Sequence, residues 1–154
     1  MLDAIKKNNI MENNYKELII LIAEDDDGHA DLIGEGLVES GVKNKIIRFS
    51  NGQEVWNFIS CTGENPVRDK KKNYLLLLDI NMPKMDGIEV LRRMKSDPEL
   101  KEIPVMMLTT TDDPREVDAC YSLGCNVYIT KPVDFLKFTE TLTRLGLFLQ
   151  IVKI

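Results

Sequence analysis

The chain has 154 residues, of which 44% are hydrophobic, so it can bury one core and is too short for a second domain. Its formal net charge of -5 argues against a nucleic-acid-binding surface, which requires clustered basic residues. No apolar segment approaches the roughly 20 residues of a membrane span, and the N-terminus lacks the apolar core of a signal peptide. We therefore predict one cytoplasmic globular domain that binds neither nucleic acid nor membrane.

Three cysteines and one histidine limit the metal and redox chemistry open to the chain. Cys61, Cys120 and Cys125 are odd in number and lack CxxC spacing, which predicts reduced thiols rather than disulfides or a zinc site. His29 is the only histidine, which excludes a site with several histidine ligands and makes histidine-based catalysis a poor candidate. We interpret His29 as a residue in the first turn of a helix.

Five apolar segments predict strands, and the chain before them predicts an arm. Residues 1–16 are rich in Asn and Lys without periodicity, so we predict a flexible N-terminal arm, followed by one domain over residues 17–154. The leucine segment after Tyr74 shows no period-2 alternation, which indicates a strand covered on both faces, as in a parallel sheet. In chain order the five apolar segments are LIILIA (18–23), IIRF (46–49), LLLL (75–78), PVMML (104–108) and NVYI (126–129).

A helix is predicted after each strand. Four of the helices have an expected capping residue: Asp27, Asn51, Asp113 and Asp134. The remaining helix is expected from Gly87 to about Ser96. Apolar residues at helical spacing predict the buried faces of the first, third and last helices. These residues are Ala30, Ile33 and Leu37, then Ile88, Leu91 and Met94, and finally Phe135, Phe138, Leu142, Leu145 and Leu149.

The alternation of five strands with five helices predicts an α/β fold, a doubly wound parallel sheet with helices on both faces. Polar side chains end four of the strands. They are Glu24-Asp25-Asp26, Asp79-Ile80-Asn81, Thr109-Thr110 and Thr130-Lys131-Pro132. The carboxyl edge of such a sheet is where ligands bind. These strand-end residues also have interpretations that involve no ligand. Asp79 could cap the following turn, and a lone Lys131 or Thr109 could simply be solvated.

Four motifs resemble the receiver domain of two-component response regulators. They are EDD after the first strand, LLLLDINMPKMDG around the third, PVMMLTT at the fourth and YITKP at the fifth. The resemblance runs from about residue 18 to 149 and implies a flavodoxin-like sheet of strand order 2-1-3-4-5. The loop 60–72, the stretch LTTTDDPRE and the ending FTETLTRLGLFLQIVKI further resemble single-domain regulators that partner phytochrome-type sensor kinases.

The implied strand order brings carboxylates together. The first and third strands become neighbours about 4.8 Å apart, so Asp25 and Asp79, with Glu24 beside them, can converge on one cation. A hard divalent ion, Mg²⁺, suits such oxygen ligands. The resemblance implies that Asp25 and Asp79 bind Mg²⁺ directly, that Glu24 acts through water, and that Asn81 offers its backbone carbonyl.

The resemblance also implies the chemistry. Asp79 would be the phosphoacceptor, attacking a phosphohistidine of a sensor histidine kinase or phosphotransfer protein. Lys131 would pair with the phosphoryl oxygens, and the Thr109 hydroxyl would donate to another. The Lys131-Pro132 peptide bond is expected to be cis. Such a protein is not an enzyme beyond its own phosphotransfer and autodephosphorylation, and it signals through a changed interaction surface. Thr109 and Tyr128 are the expected switch residues, although Tyr128 could instead be a half-buried strand aromatic.

The site residues also allow two functions other than phosphorelay signalling. Haloacid-dehalogenase-like phosphatases also use an aspartyl nucleophile, Mg²⁺, a Thr or Ser and a Lys on an α/β sheet. Their nucleophile ends the first strand, however, whereas Asp79 ends the third, and no cap domain fits in this chain. A degenerate receiver used as a scaffold is disfavoured because every expected site residue is present.

The C-terminal end predicts self-association. Residues 147–154 leave almost no polar helical face, and an all-apolar helix requires a cover. We predict a homodimer through this C-terminal extension and the adjoining fourth helix and fifth strand. The alternative is that Gly146 breaks the helix and the tail folds back onto its own sheet or wraps residues of the N-terminal arm.

Overall fold

The computed structural model describes residues 18–151, with side chains up to residue 149. The predicted N-terminal arm, residues 1–16, lies outside the described residues, as does the end of the predicted C-terminal extension, 152–154. Within residues 18–151, no helix is both long enough and apolar enough to cross a membrane.

Five parallel strands and five helices alternate along the chain. In order they are β1 (Ile19–Ala23), α1 (Asp27–Glu39), β2 (Ile46–Phe49), α2 (Gly52–Ser60), β3 (Tyr74–Leu78), α3 (Gly87–Ser96), β4 (Val105–Thr109), α4 (Pro114–Leu123), β5 (Val127–Thr130) and α5 (Phe135–Ile151). The strand order is β2-β1-β3-β4-β5 and every pairing is parallel. The predicted fold class and strand order are confirmed.

The two faces of the sheet form two separate apolar cores. Every residue of β1, β3 and β4 is buried, which explains why these strands show no alternation in the sequence. Helices α2, α3 and α4 cover one face, and α1 and α5 cover the other. The arrangement leaves the carboxyl edge of the sheet to the loops after the strands.

Most expected helix starts and buried faces are observed, with three corrections. Asp26, not Asp27, caps α1, because its extended backbone lets the side chain accept from the His29 N–H at 2.8 Å. Phe135 is wrong as a core residue, since it begins α5 at the rim of the sheet and remains 61% exposed. On α3 the third buried position beside Leu91 and Met94 is Val90; Ile88 is only partly buried.

Helices α1 and α5 approach each other at two glycines. A Cβ on Gly36 would lie 2.9 Å from the Leu142 Cβ, and one on Gly146 would lie 1.7 Å from the Ser40 Oγ. The alternative that Gly146 breaks the last helix is wrong, because α5 continues through it to Ile151. Gly146 is required here for close packing between helices.

Gly87 allows α3 to begin directly against the backbone of Asp79. A Cβ at this position would lie 2.0 Å from the Asp79 carbonyl oxygen, so Gly87→Ala must push the helix away from β3. We expect the free energy of unfolding, measured with urea, to fall by about 1–3 kcal/mol. In the control Gly34→Ala on α1, nothing lies within 4 Å of the added methyl, and stability should rise by up to about 1 kcal/mol. A Gly87→Ala protein as stable as the wild type would contradict this account.

Candidate functional site

Three carboxylates meet at the carboxyl edge of the sheet. Glu24 and Asp25 follow β1, Asp79 follows β3, and the two strands pair in register up to Ala23 and Leu78. One oxygen from each of the three carboxylates lies within 4.8 Å of the others. Glu24 and Asp79 are buried, whereas Asp25 is exposed. The site therefore combines a solvent-accessible acid with two that the protein has desolvated.

Lys131 reaches this acidic cluster from the end of β5. Its side chain is buried, and its ammonium donates to Asp79 Oδ2 at 3.1 Å and to Glu24 Oε2. Its backbone N–H donates to the carbonyl of Thr109 at 2.6 Å. A buried lysine between two buried carboxylates gives the site a mobile positive charge aimed at Asp79.

The pKa values of the two buried acids are shifted in opposite directions. Burial raises the pKa of Glu24 to about 7, and hydrogen bonding with Asp79 acts in the same direction. Burial also opposes ionisation of Asp79, but hydrogen bonding with Glu24 and the charge of Lys131 prevail and lower its pKa. Asp79 is held as a carboxylate, the form that acts as a nucleophile.

Thr109 places a hydroxyl beside this carboxylate. The residue ends β4, is fully buried, and its proximity to Asp79 contributes to the lowered pKa of that group. Its hydroxyl nevertheless makes no hydrogen bond of regular geometry, and it is the one buried side-chain N or O atom among the described residues without a partner. The hydroxyl can therefore donate to an oxygen atom of a group bound beside Asp79.

Asn81 and Tyr128 are linked through one loop residue. Asn81 Nδ2 donates to Thr111 Oγ1 at 3.1 Å, and the Tyr128 hydroxyl donates to the carbonyl of Thr111 at 2.6 Å. Burial raises the pKa of Tyr128 to about 12, so the phenol is neutral. Tyr128 is half-buried here, as in the plainer alternative for this residue. Its role as a switch stays a prediction.

One backbone expectation at the site is wrong. The described residues contain no cis peptide bond, so the Lys131-Pro132 bond is trans, the isomer that most X-Pro bonds adopt.

Two residues at the site were missed by sequence reasoning. His29 is in the first turn of α1 as expected, yet its Nδ1 lies 3.4 Å from Lys131 Nζ and 3.8 Å from a Glu24 oxygen. Arg48 on β2 donates to the loop that carries Glu24 and Asp25. The available signal for Arg48 was its charge within the otherwise apolar strand IIRF.

This fold, with these side chains at the carboxyl edge of its sheet, is the one that the resemblance to receiver domains implies. The chain belongs to the response regulator receiver domain family, which matches residues 20–143. It is a receiver domain of two-component signalling. The family match and the place of Asp79 after the third strand run against the phosphatase alternative.

The chain is similar in sequence or structure to several characterised receiver proteins. The chain is 38% identical to response regulator Rcp1 of Synechocystis sp. over 113 residues, which is 73% of this chain and 76% of Rcp1. A receiver domain from Rhodospirillum rubrum has a TM-score of 0.78 and 40% identity, covering 87% of this chain and 94% of that one.

The phosphorylated cyanobacterial phytochrome response regulator RcpA has a TM-score of 0.77 and 34% identity, covering 86% and 94%. This match confirms the resemblance to phytochrome-associated regulators. Rcp1 has been solved in a Mn²⁺-bound form.

Proposed function

We propose that this protein is a response regulator that accepts a phosphoryl group on Asp79 from a sensor histidine kinase or a phosphotransfer protein. The observation that carries the proposal is a buried Asp79 carboxylate, held ionised between two other acids and a buried lysine. Receiver domains interact with kinases or phosphotransfer proteins of these kinds. Output then takes the form of a changed interaction surface.

The residues fit a small divalent cation. Hard cations prefer oxygen ligands, and the carboxylates of Glu24, Asp25 and Asp79 converge where one such ion would neutralise them. We assign Mg²⁺ to this site, with Asp25 and Asp79 as direct ligands, Glu24 acting through water, and the Asn81 carbonyl as a further ligand. When bound, the cation supplies charge neutralisation for the phosphoryl oxygens.

The transfer step follows from the placement of the remaining groups. An Asp79 oxygen attacks phosphorus, the P–N bond to the donor imidazole breaks, and the imidazole leaves with the bonding pair. Lys131 is positioned to follow the phosphoryl oxygens because its ammonium already contacts Asp79. Thr109 offers its unpartnered hydroxyl as a donor to another oxygen. Phosphotransfer and autodephosphorylation are the only reactions that we assign to the chain.

Signalling requires that the phosphoryl group change a distant surface. If the Thr109 hydroxyl turns toward the phosphoryl group, the end of β4 would shift, and with it the adjacent β5. Tyr128 on β5 is tied to the Thr111 carbonyl, so movement of this loop would alter the position of the ring. The switch pair Thr109 and Tyr128 would thus couple the site to the surface formed by α4, β5 and α5.

Labelling with a small phosphodonor tests the proposal. Full-length protein incubated with acetyl phosphate and Mg²⁺ should gain the mass of one phosphoryl group, as measured by intact mass spectrometry. The label should be absent when EDTA replaces Mg²⁺ and should disappear at alkaline pH, since acyl phosphates hydrolyse readily. Labelling that is independent of the cation would argue against the assigned site.

An apolar patch next to the site suits a protein phosphodonor. Val133, Phe135 and Leu136 are exposed at 104%, 61% and 71%; they lie shortly after Lys131-Pro132 in the chain, and Val133 and Phe135 line a cavity together with Lys131. Exposed apolar side chains in one patch are typical of protein contacts. Leu136→Asp should therefore lower the rate of phosphotransfer from the cognate kinase at least about tenfold while leaving acetyl phosphate labelling within about twofold of wild type. If the rate fell equally with the kinase and with acetyl phosphate, Leu136 would contribute to the phosphorylation site rather than to contact with the kinase.

The C-terminal half of α5 supports the proposed homodimer. Leu147 and Phe148 are exposed, and Phe148 borders an apolar groove between α5 and the edge strand β5 that Val127 and Ile129 also line. Light scattering should give the mass of a dimer for the full-length protein and of a monomer for the double variant Leu147→Glu/Phe148→Glu. The matched control Lys137→Glu, on the same helix, should remain dimeric. A wild-type monomer at high micromolar concentration, with and without phosphorylation, would refute the dimer.

A further inference from the structure

The loop that joins β1 to α1 consists of three acids, Glu24, Asp25 and Asp26, and Arg48 is hydrogen-bonded to its backbone. Arg48 Nε and Nη2 donate to the carbonyl oxygen of Glu24 at 3.0 and 2.8 Å. Nη2 also lies 3.3 Å from the carbonyl oxygen of Asp25, and Nη1 donates to the Asp27 carboxylate at 2.7 Å. One guanidinium therefore bonds two residues of the loop and the first residue of α1, and that loop supplies two of the three clustered carboxylates.

Arg48 is itself held in place by the sheet. It lies on β2, where it pairs in register with Ile22 of β1, two residues before Glu24. The planar guanidinium presents several donors in a fixed geometry, which a lysine cannot reproduce. Two basic side chains bind different oxygen atoms of Glu24. Lys131 donates to the side-chain carboxylate, and Arg48 donates to the backbone carbonyl.

We propose that Arg48 is a positioning residue for the cation site. It fixes the backbone of Glu24 and Asp25 so that their carboxylates are already directed toward the ion before the ion binds. Residues that orient metal ligands without touching the metal commonly control affinity in this way. The inference deepens the proposed function and rests on it only as far as the cation site is concerned.

The sign of the expected effect separates positioning from simple electrostatics. A positive guanidinium near a cation site repels the ion, so removal of its charge alone would tighten cation binding. Loss of positioning has the opposite effect. Arg48→Met removes both the charge and the hydrogen bonds, whereas Arg48→Lys keeps the charge and loses the forked contacts. We expect both variants to bind a divalent cation more weakly than the wild type does.

Mn²⁺ binding to the full-length, unphosphorylated protein measures this directly, with free Mn²⁺ followed by electron paramagnetic resonance. Arg48→Met and Arg48→Lys should raise the Kd for Mn²⁺ about tenfold. The control Arg115→Met makes the same charge change at an exposed residue that pairs with Asp113, and its Kd should stay within about twofold of wild type. With acetyl phosphate, the Arg48 variants should need more Mg²⁺ for half-maximal labelling but approach the wild-type rate at saturating Mg²⁺.

The competing outcomes are distinct. A Kd for Mn²⁺ that is unchanged or lower in the Arg48 variants, with or without a loss of thermal stability, would overturn the inference and leave Arg48 a structural residue. If Arg48→Met does not fold, Arg48→Lys alone decides the matter by the same criterion. Failure of the wild-type protein to bind Mn²⁺ would instead count against the cation site of the proposed function.

Discussion

Asp79→Asn should reduce labelling by acetyl phosphate to background. The amide cannot act as the nucleophile, and loss of a nucleophile costs as much as about 10⁶ in rate in well-studied enzymes. The folded structure should survive, because Asn is nearly isosteric and its amide oxygen can still accept from Lys131. Intact mass spectrometry after incubation with acetyl phosphate and Mg²⁺ measures the label, and urea unfolding checks the fold.

A matched control separates the loss of a nucleophile from the loss of a charge. Asp118 is exposed on α4, and Asp118→Asn removes one carboxylate away from the site, so it should be labelled like the wild type. If Asp79→Asn kept half or more of the wild-type labelling rate, another residue would be the acceptor and the assignment of Asp79 would be wrong.

Lys131→Ala should slow phosphorylation and abolish the effect of the phosphoryl group on the surface formed by α4, β5 and α5. The variant leaves two buried carboxylates without their shared cation, and removal of one partner of a buried pair typically costs about 3–5 kcal/mol. The cost here should lie at or below the lower end of that range, because the raised pKa of Glu24 lets this residue take up a proton instead. Mg²⁺ should restore part of the lost stability.

The coupling is measured by hydrogen exchange with and without the phosphate mimic beryllofluoride. In the wild type, exchange over α4, β5 and α5 should change when the mimic binds. In Lys131→Ala the change should be absent even at beryllofluoride and Mg²⁺ concentrations that saturate the site. Lys137→Ala, an exposed lysine on α5, should behave as the wild type does. If hydrogen exchange in Lys131→Ala changed as much as in the wild type, Lys131 would have no role in signalling.

Much of the fold was predictable because its determinants are local. The apolar runs of β1, β3 and β4 are buried on both faces, so their sequences report a parallel sheet directly. The strand order required the resemblance to receiver domains, since apolar periodicity does not say which strands are neighbours. The capping residue of α1 was misplaced by one position because Asp25, Asp26 and Asp27 are chemically alike and only backbone geometry distinguishes them.

The residues of the site were predictable to the extent that they end strands. Asp79 and Lys131 are the first residues after β3 and β5, and the structure brings them within hydrogen-bonding distance. His29 and Arg48 could not be placed in the same way. Their contacts depend on how α1 and β2 pack beside the β1 loop, which is tertiary information. Phe135 had the right spacing for the core but lies where α5 has not yet reached the sheet.

The most direct test of the central claim is to locate the phosphoryl group in the wild-type protein. Borohydride reduces an aspartyl phosphate to homoserine, so peptide mass spectrometry after labelling and reduction identifies the acceptor residue. We predict homoserine at position 79, only in protein that received both Mg²⁺ and the phosphodonor. Homoserine at Asp25 or another aspartate, or a stable phosphate on a hydroxyl side chain with residue 79 unmodified, would contradict the account.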